Sequence, residues 1–102
     1  MNDISVTDLA ARREAGEAPI IDVREADEWA SRHVEGAVHI PLSEFMQREH
    51  ELPEAEELYI LCHSGGRSAR VTQYLEQKGV SAVNVVGGIE AWQGAGLPVV
   101  SE

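Results

Sequence analysis

Leu58-Tyr59-Ile60-Leu61-Cys62-His63-Ser64-Gly65-Gly66-Arg67-Ser68 is the stretch on which the fold turns. Its four leading apolar residues predict a buried strand. The segment Ser68 to Lys78 predicts a helix, and Gly79 is placed to cap it. Between strand and helix stands Cys62, the only cysteine of the chain. A thiol at the strand-to-helix turn of an α/β protein is placed for nucleophilic chemistry. A cysteine serving only as a small buried hydrophobe does not require two glycines, an arginine and two serines directly after it.

The turn's composition explains how the sulfur becomes reactive. The attacking species is the thiolate, and a free cysteine is mostly protonated at neutral pH. A helix N-terminus carries unpaired N–H groups and partial positive charge. A glycine-rich turn adds inward-pointing amides, forming an anion nest, and Gly65 and Gly66 reach backbone angles that other residues avoid. Arg67 brings a fixed positive charge, and Ser64 and Ser68 bring hydroxyl donors. The expectation is a lowered Cys62 pKa, with about 1 kcal/mol or more contributed by each donor.

Outward from this turn, strand-like and helix-like segments alternate. Strands are predicted at Ile4–Val6, Pro19–Arg24, Ala37–Ile40 and Ala82–Val86, and Val99-Val100 forms a final apolar pair. Helices are predicted from Asp8 to Ala15 with Thr7 as N-cap, from Ala26 to Arg32, from a Ser43 cap through Arg48, and from Ile89 to Gln93. Short β-rich strands separated by helices argue for an α/β fold, with a mainly parallel sheet covered on both faces. Ligands of such sheets sit at the carboxyl ends of strands. Cys62 and the pair Asp22/Arg24 both fall at such ends, so they are expected to share one rim. Asp22 and Arg24 could shape the site there or form a structural ion pair. Trp29 is expected in the core and Trp92 nearer the surface.

Composition narrows the function classes. The 102 residues are expected to form one domain over 1–102, and 43% hydrophobic with 25% charged content is ordinary for a soluble protein. No apolar run approaches a membrane span, and the first residues lack the pattern of a signal peptide. A single free thiol suits a reducing compartment, so a cytoplasmic location is expected. Eighteen acidic residues against 8 basic ones give a formal charge of −10, which disfavours nucleic acid and anionic membrane as partners. The acidic run Glu49 to Glu57 reads as a solvated loop. His33, His39, His50 and His63 lack zinc-ligand spacing, and no metal site is expected. His33 and His39 are expected to hold loops, and His63 to face substrate or solvent.

Three stretches together resemble a single-domain rhodanese, a sulfurtransferase homology domain. They are Ile21-Asp22-Val23-Arg24-Glu25 through His33-Val34-Glu35-Gly36-Ala37-Val38-His39-Ile40-Pro41-Leu42, the loop Cys62 to Arg67, and Gly87-Gly88-Ile89-Glu90-Ala91-Trp92 through Gly96-Leu97-Pro98-Val99. Glu35 departs from the pattern, standing where the family often has proline. The resemblance implies a three-layer sandwich around a five-stranded, mainly parallel sheet. It implies a Cys62 persulfide that carries sulfane sulfur from a donor such as thiosulfate to cyanide or a thiol, the latter on a small molecule or an acceptor protein. His63, Ser64, Gly65, Gly66, Arg67 and Ser68 would hold substrate and persulfide, without metal or organic cofactor.

Other functions share parts of this pattern. A cysteine phosphatase or arsenate reductase also sets a thiolate and an arginine around an anion. Only four residues separate Cys62 from Arg67, whereas the phosphatase loop has five, and no residue stands out as the acid for an alkoxide leaving group. A non-catalytic binding module or a sulfur-relay protein is the further alternative; the presence of both Cys62 and Arg67 favours catalysis.

Overall fold

In a computed structural model, which describes residues 2–102, the chain forms a five-stranded sheet flanked by helices on both faces. The strands are β1 (Asn2–Ile4), β2 (Ile20–Asp22), β3 (Val38–His39), β4 (Leu58–Leu61) and β5 (Ala82–Val85). Their spatial order is β1-β5-β4-β2-β3, and every pairing is parallel. The α/β sandwich inferred from the sequence is therefore the fold observed. The helices are α1 (Val6–Ala15), α2 (Ala26–Ser31), α3 (Phe45–Arg48), α4 (Gly66–Gln77) and α5 (Gly88–Gly94). None of them is long and apolar enough to cross a membrane.

Alternation along the strands divides the core in two. Ile20, Tyr59, Leu61, Val83 and Val85 point to one face, where they meet Leu9 of α1 and Ile89 and Trp92 of α5. Ile21, Leu58, Ile60 and Ala82 point to the other, against Phe45 of α3 and Val71 and Leu75 of α4. Cys62, one residue beyond β4, belongs to this second cluster. Both faces of β4 are thus buried, which is why it reads as an unbroken apolar run. The crossover helix α4 ends in a Schellman turn at the expected glycine. Gly79, at φ 83, donates to Glu76 O, and Val80 N–H reaches back to Leu75 O, both at 3.0 Å.

Several element ends differ from the sequence reading. Ser5, not Thr7, caps α1: its extended backbone lets Oγ accept from Asp8 N–H at 3.2 Å, so β1 ends at Ile4. Ser43 caps no helix. Its hydroxyl donates to Glu25 at 2.6 Å, and a 3₁₀ turn over Leu42–Glu44 precedes α3. The tryptophans exchange places. Trp92 is buried and donates to Pro98 O at 2.9 Å, whereas Trp29 is half-buried and stacks on His33 and His39, with centroids 3.8 and 4.6 Å apart. The short helix α2 buries none of its residues, so its tryptophan finds a histidine stack rather than the core. Of the two histidines expected to hold loops, His39 does so, with Nε2 2.7 Å from Arg24 O, whereas His33 Nδ1 lies 2.8 Å from Trp29 O, within helix α2.

Candidate active site

Parallel register brings the carboxyl ends of β2 and β4 together. Asp22 lies opposite Leu61, so Cys62 follows on the same rim. Helix α4 begins only four residues after Cys62, with Gly65 at φ 114 as its N-cap. The helix therefore starts two residues before Ser68, the first residue assigned from sequence, and the loop is tighter than expected. Gly65 is required by its left-handed backbone. Gly66 has an ordinary φ, and a Cβ there would meet open space.

The second half of the cradle comes from α5. Its Ile89 N–H donates to Cys62 O at 2.9 Å, and its Glu90 N–H donates to His63 O at 3.1 Å. The carbonyl and amide of a trans peptide point in opposite directions. Anchoring the His63 carbonyl to α5 therefore turns the Ser64 amide toward the sulfur. The approach is so close that a Cβ on Gly88, at φ 60, would lie 2.4 Å from Cys62 O and 2.5 Å from His63 O.

At the floor of this loop, Cys62 Sγ accepts from Gly65 N–H at 3.0 Å and from the Ser68 hydroxyl at 3.3 Å. Burial pushes the thiol up. The Ser68 hydroxyl and the amides of Ser68, Gly65 and Ser64 more than offset this, holding Cys62 below the ordinary thiol value. Ser68 is fully buried, and its Oγ also lies 3.1 Å from Gly65 O and 2.6 Å from Asn84 Oδ1. One hydroxyl hydrogen is thus shared among three acceptors. Ser64 is exposed and contributes its amide rather than its hydroxyl.

Arg67 hydrogen-bonds Glu28 rather than the sulfur. Its two terminal nitrogens donate to Glu28 Oε1 and Oε2 at 2.7 and 2.8 Å, a bidentate pair tying α4 to α2. Glu28 Oε1 also accepts from Glu25 N–H at 3.0 Å. The Arg67 bond holds the Glu28 carboxyl down to about 2 against a partial desolvation penalty. His63 sits half-exposed at the mouth, its Nε2 3.2 Å from Glu90. Beside it, Arg24, Glu28, Ser31, Arg32 and His63 line a shallow pocket of about 210 Å³.

Asp22 and Arg24 share the strand ends but are turned inward, 0% and 1% exposed. Arg24 Nη2 meets Asp22 Oδ2 at 2.8 Å, and the guanidinium also donates to Glu28 O and Arg32 O. Of the two sequence readings, the geometry is that of the structural ion pair, one that fastens α2 to the sheet. No cluster of three or more His, Cys, Asp or Glu side chains that could hold a metal occurs among the described residues. Sequence reasoning missed Glu28 and Asn84 as partners of the loop. Their separations from Arg67 and Ser68, 39 and 16 residues, carry no local signal.

Known proteins resemble this chain in sequence and in fold. The profile of the family described as "Rhodanese-like domain" matches residues 5–95. "Putative sulfur carrier protein YrkF" of Bacillus subtilis is 46% identical over 76 residues, 74% of this chain but only 41% of that protein. "Putative sulfurtransferase YtwF" of the same organism is 37% identical over 99 residues, 96% of each chain. Among solved structures, a rhodanese-related protein from Thermoplasma volcanium superposes with a TM-score of 0.91 at 32% identity over the full length of both chains.

Proposed function

The chain belongs to the rhodanese-like domain family of sulfurtransferases and sulfur carriers, and from that premise we propose that it is an enzyme transferring sulfane sulfur through a Cys62 persulfide. The observation that carries the reading is the sulfur held by Gly65 N–H and the Ser68 hydroxyl at a strand end, in a loop of amides. These donors stabilise an anion on sulfur, whether thiolate or persulfide. With thiosulfate as donor, the Cys62 thiolate attacks the outer sulfur. A Cys62–sulfur bond forms, the sulfur–sulfur bond of thiosulfate breaks, and sulfite leaves with the electron pair. Cyanide or a thiolate, on a small molecule or an acceptor protein, then takes the terminal sulfur and regenerates the Cys62 thiolate. No proton need be delivered to the leaving group, in keeping with a loop rich in hydrogen-bond donors and poor in free acids. A reducing, cytoplasmic setting suits the free thiol.

Phosphate ester hydrolysis fits less well. It needs an acid for an alkoxide leaving group, yet the nearby carboxylates Asp22 and Glu28 are held in ion pairs with Arg24 and Arg67. The test is mass spectrometry of the protein after incubation with thiosulfate. A gain of one sulfur atom on Cys62, lost on adding cyanide, is expected, and Cys62→Ser should abolish both loading and turnover while the fold survives. Full turnover by Cys62→Ser, or p-nitrophenyl phosphate hydrolysis outrunning thiosulfate:cyanide activity, would overturn the proposal.

A further inference from the structure

The one cation inside the Cys62–Ser68 loop is already neutralised. Both terminal nitrogens of Arg67 are held by the two oxygens of Glu28, at 2.7 and 2.8 Å. Glu28 is itself fixed from behind by the Glu25 amide at 3.0 Å, as part of the capping box that starts α2. The pair is not buried out of reach: its side chains are about one third exposed, and Glu28 also lines the pocket beside His63. The Cys62 thiolate acts on Arg67 through space, so the pair lies within electrostatic range of the sulfur. The donors in direct contact with Sγ are neutral dipoles, suited to one compact anion.

We infer that Glu28 is a specificity-determining residue, which by occupying the Arg67 guanidinium sets the loop against dianionic sulfur donors and in favour of hydropersulfides. The inference rests on the sulfur-carrier reading and narrows its donor. The charges of the two reactions differ. Attack of the Cys62 thiolate on thiosulfate gathers three negative charges in the loop and ends as a persulfide anion plus sulfite dianion. Attack on the terminal sulfur of a neutral hydropersulfide gathers one; the Cys62–sulfur bond forms, the donor's sulfur–sulfur bond breaks, and the donor thiolate leaves while the proton stays on the new hydropersulfide. With Glu28 in place, the loop offers no uncompensated cation for the two additional charges, and the protein's −10 opposes them further.

Glu28→Gln tests this. The glutamine keeps a carbonyl for the Glu25 amide and for Arg67, so α2 retains its cap while the guanidinium loses its counter-charge. Rates of sulfur loading on Cys62 are measured by mass spectrometry with thiosulfate and with 2-hydroxyethyl hydropersulfide, an uncharged donor when used below the pKa of its S–H group. The expected result is a ratio of thiosulfate to hydropersulfide rate constants raised about tenfold over wild type, the scale of one exposed charge in such a mouth. Adding Arg67→Gln to Glu28→Gln should remove that gain. Loading of wild type from the hydropersulfide with an unchanged ratio in Glu28→Gln overturns the inference alone. Absence of loading from either donor overturns the sulfur-carrier reading, and this inference with it.

Discussion

The reactivity of Cys62 depends on a serine hydroxyl and three amides rather than on the arginine beside it. Among the described residues, Ser68 is the one side chain donating to Sγ, at 3.3 Å, and its removal leaves the amides intact. A hydrogen bond to a charged group favours its ionised form. In Ser68→Ala the thiol should therefore titrate higher than in the wild type. Because that bond favours the charged form, losing it reduces the thiolate fraction at neutral pH, and the midpoint of iodoacetamide alkylation against pH moves upward. An unmoved midpoint would assign the lowered pKa to the amides alone. Cys62, its glycine turn and its two serines were legible because they are contiguous. What the loop's side chains bind was not. Arg67 turns to Glu28 on α2 and Ser68 to Asn84 on β5, and only the packed sheet brings these partners together.

At the scale of elements, the Cys62 loop is a docking problem between α5 and the end of β4. The α5 amides of Ile89 and Glu90 hold the Cys62 and His63 carbonyls, and Gly88 makes the approach possible. Gly88→Ala places a Cβ 2.4 Å from Cys62 O at a residue with φ 60. Clash and backbone strain together should cost roughly 3 kcal/mol, seen as a lower midpoint in urea, and Cys62 alkylation should slow as the amides lose their aim. Gly66→Ala, with open space around it, is the contrasting substitution and should leave stability within about 0.5 kcal/mol. Element types were readable from apolar runs and glycine stops, but ends and faces less so. Ser5 and Thr7 are both competent caps, and the choice falls to the serine because β1 pairs with β5 only through Ile4. Trp29 and Trp92 each sit in a short helix, and only the docking of α5 against α1 decides which is buried.

For the molecule as a whole, two apolar layers fix the sheet while a surplus of carboxylates sets the field around it. The buried Asp22–Arg24 pair lies on the same rim as Cys62 and fastens α2, and hence Glu28, to β2. The loop's electrostatics thus follow from how the sheet edge is built. Beyond contact range, an anionic donor meets a chain of net charge −10 whose loop cation is paired. The screening length shrinks from about 30 Å at 10 mM salt to about 8 Å at physiological ionic strength. Repulsion between protein and thiosulfate should weaken over that range, so the second-order rate of Cys62 loading should rise, by roughly threefold. A neutral hydropersulfide carries no such charge, and its loading rate should stay flat when measured below its own pKa. Stopped-flow loading at the two salt concentrations separates the cases. A thiosulfate rate that falls with salt would place an attractive, net positive potential at the mouth of the loop, against the pairing of Arg67 with Glu28 as its controlling feature.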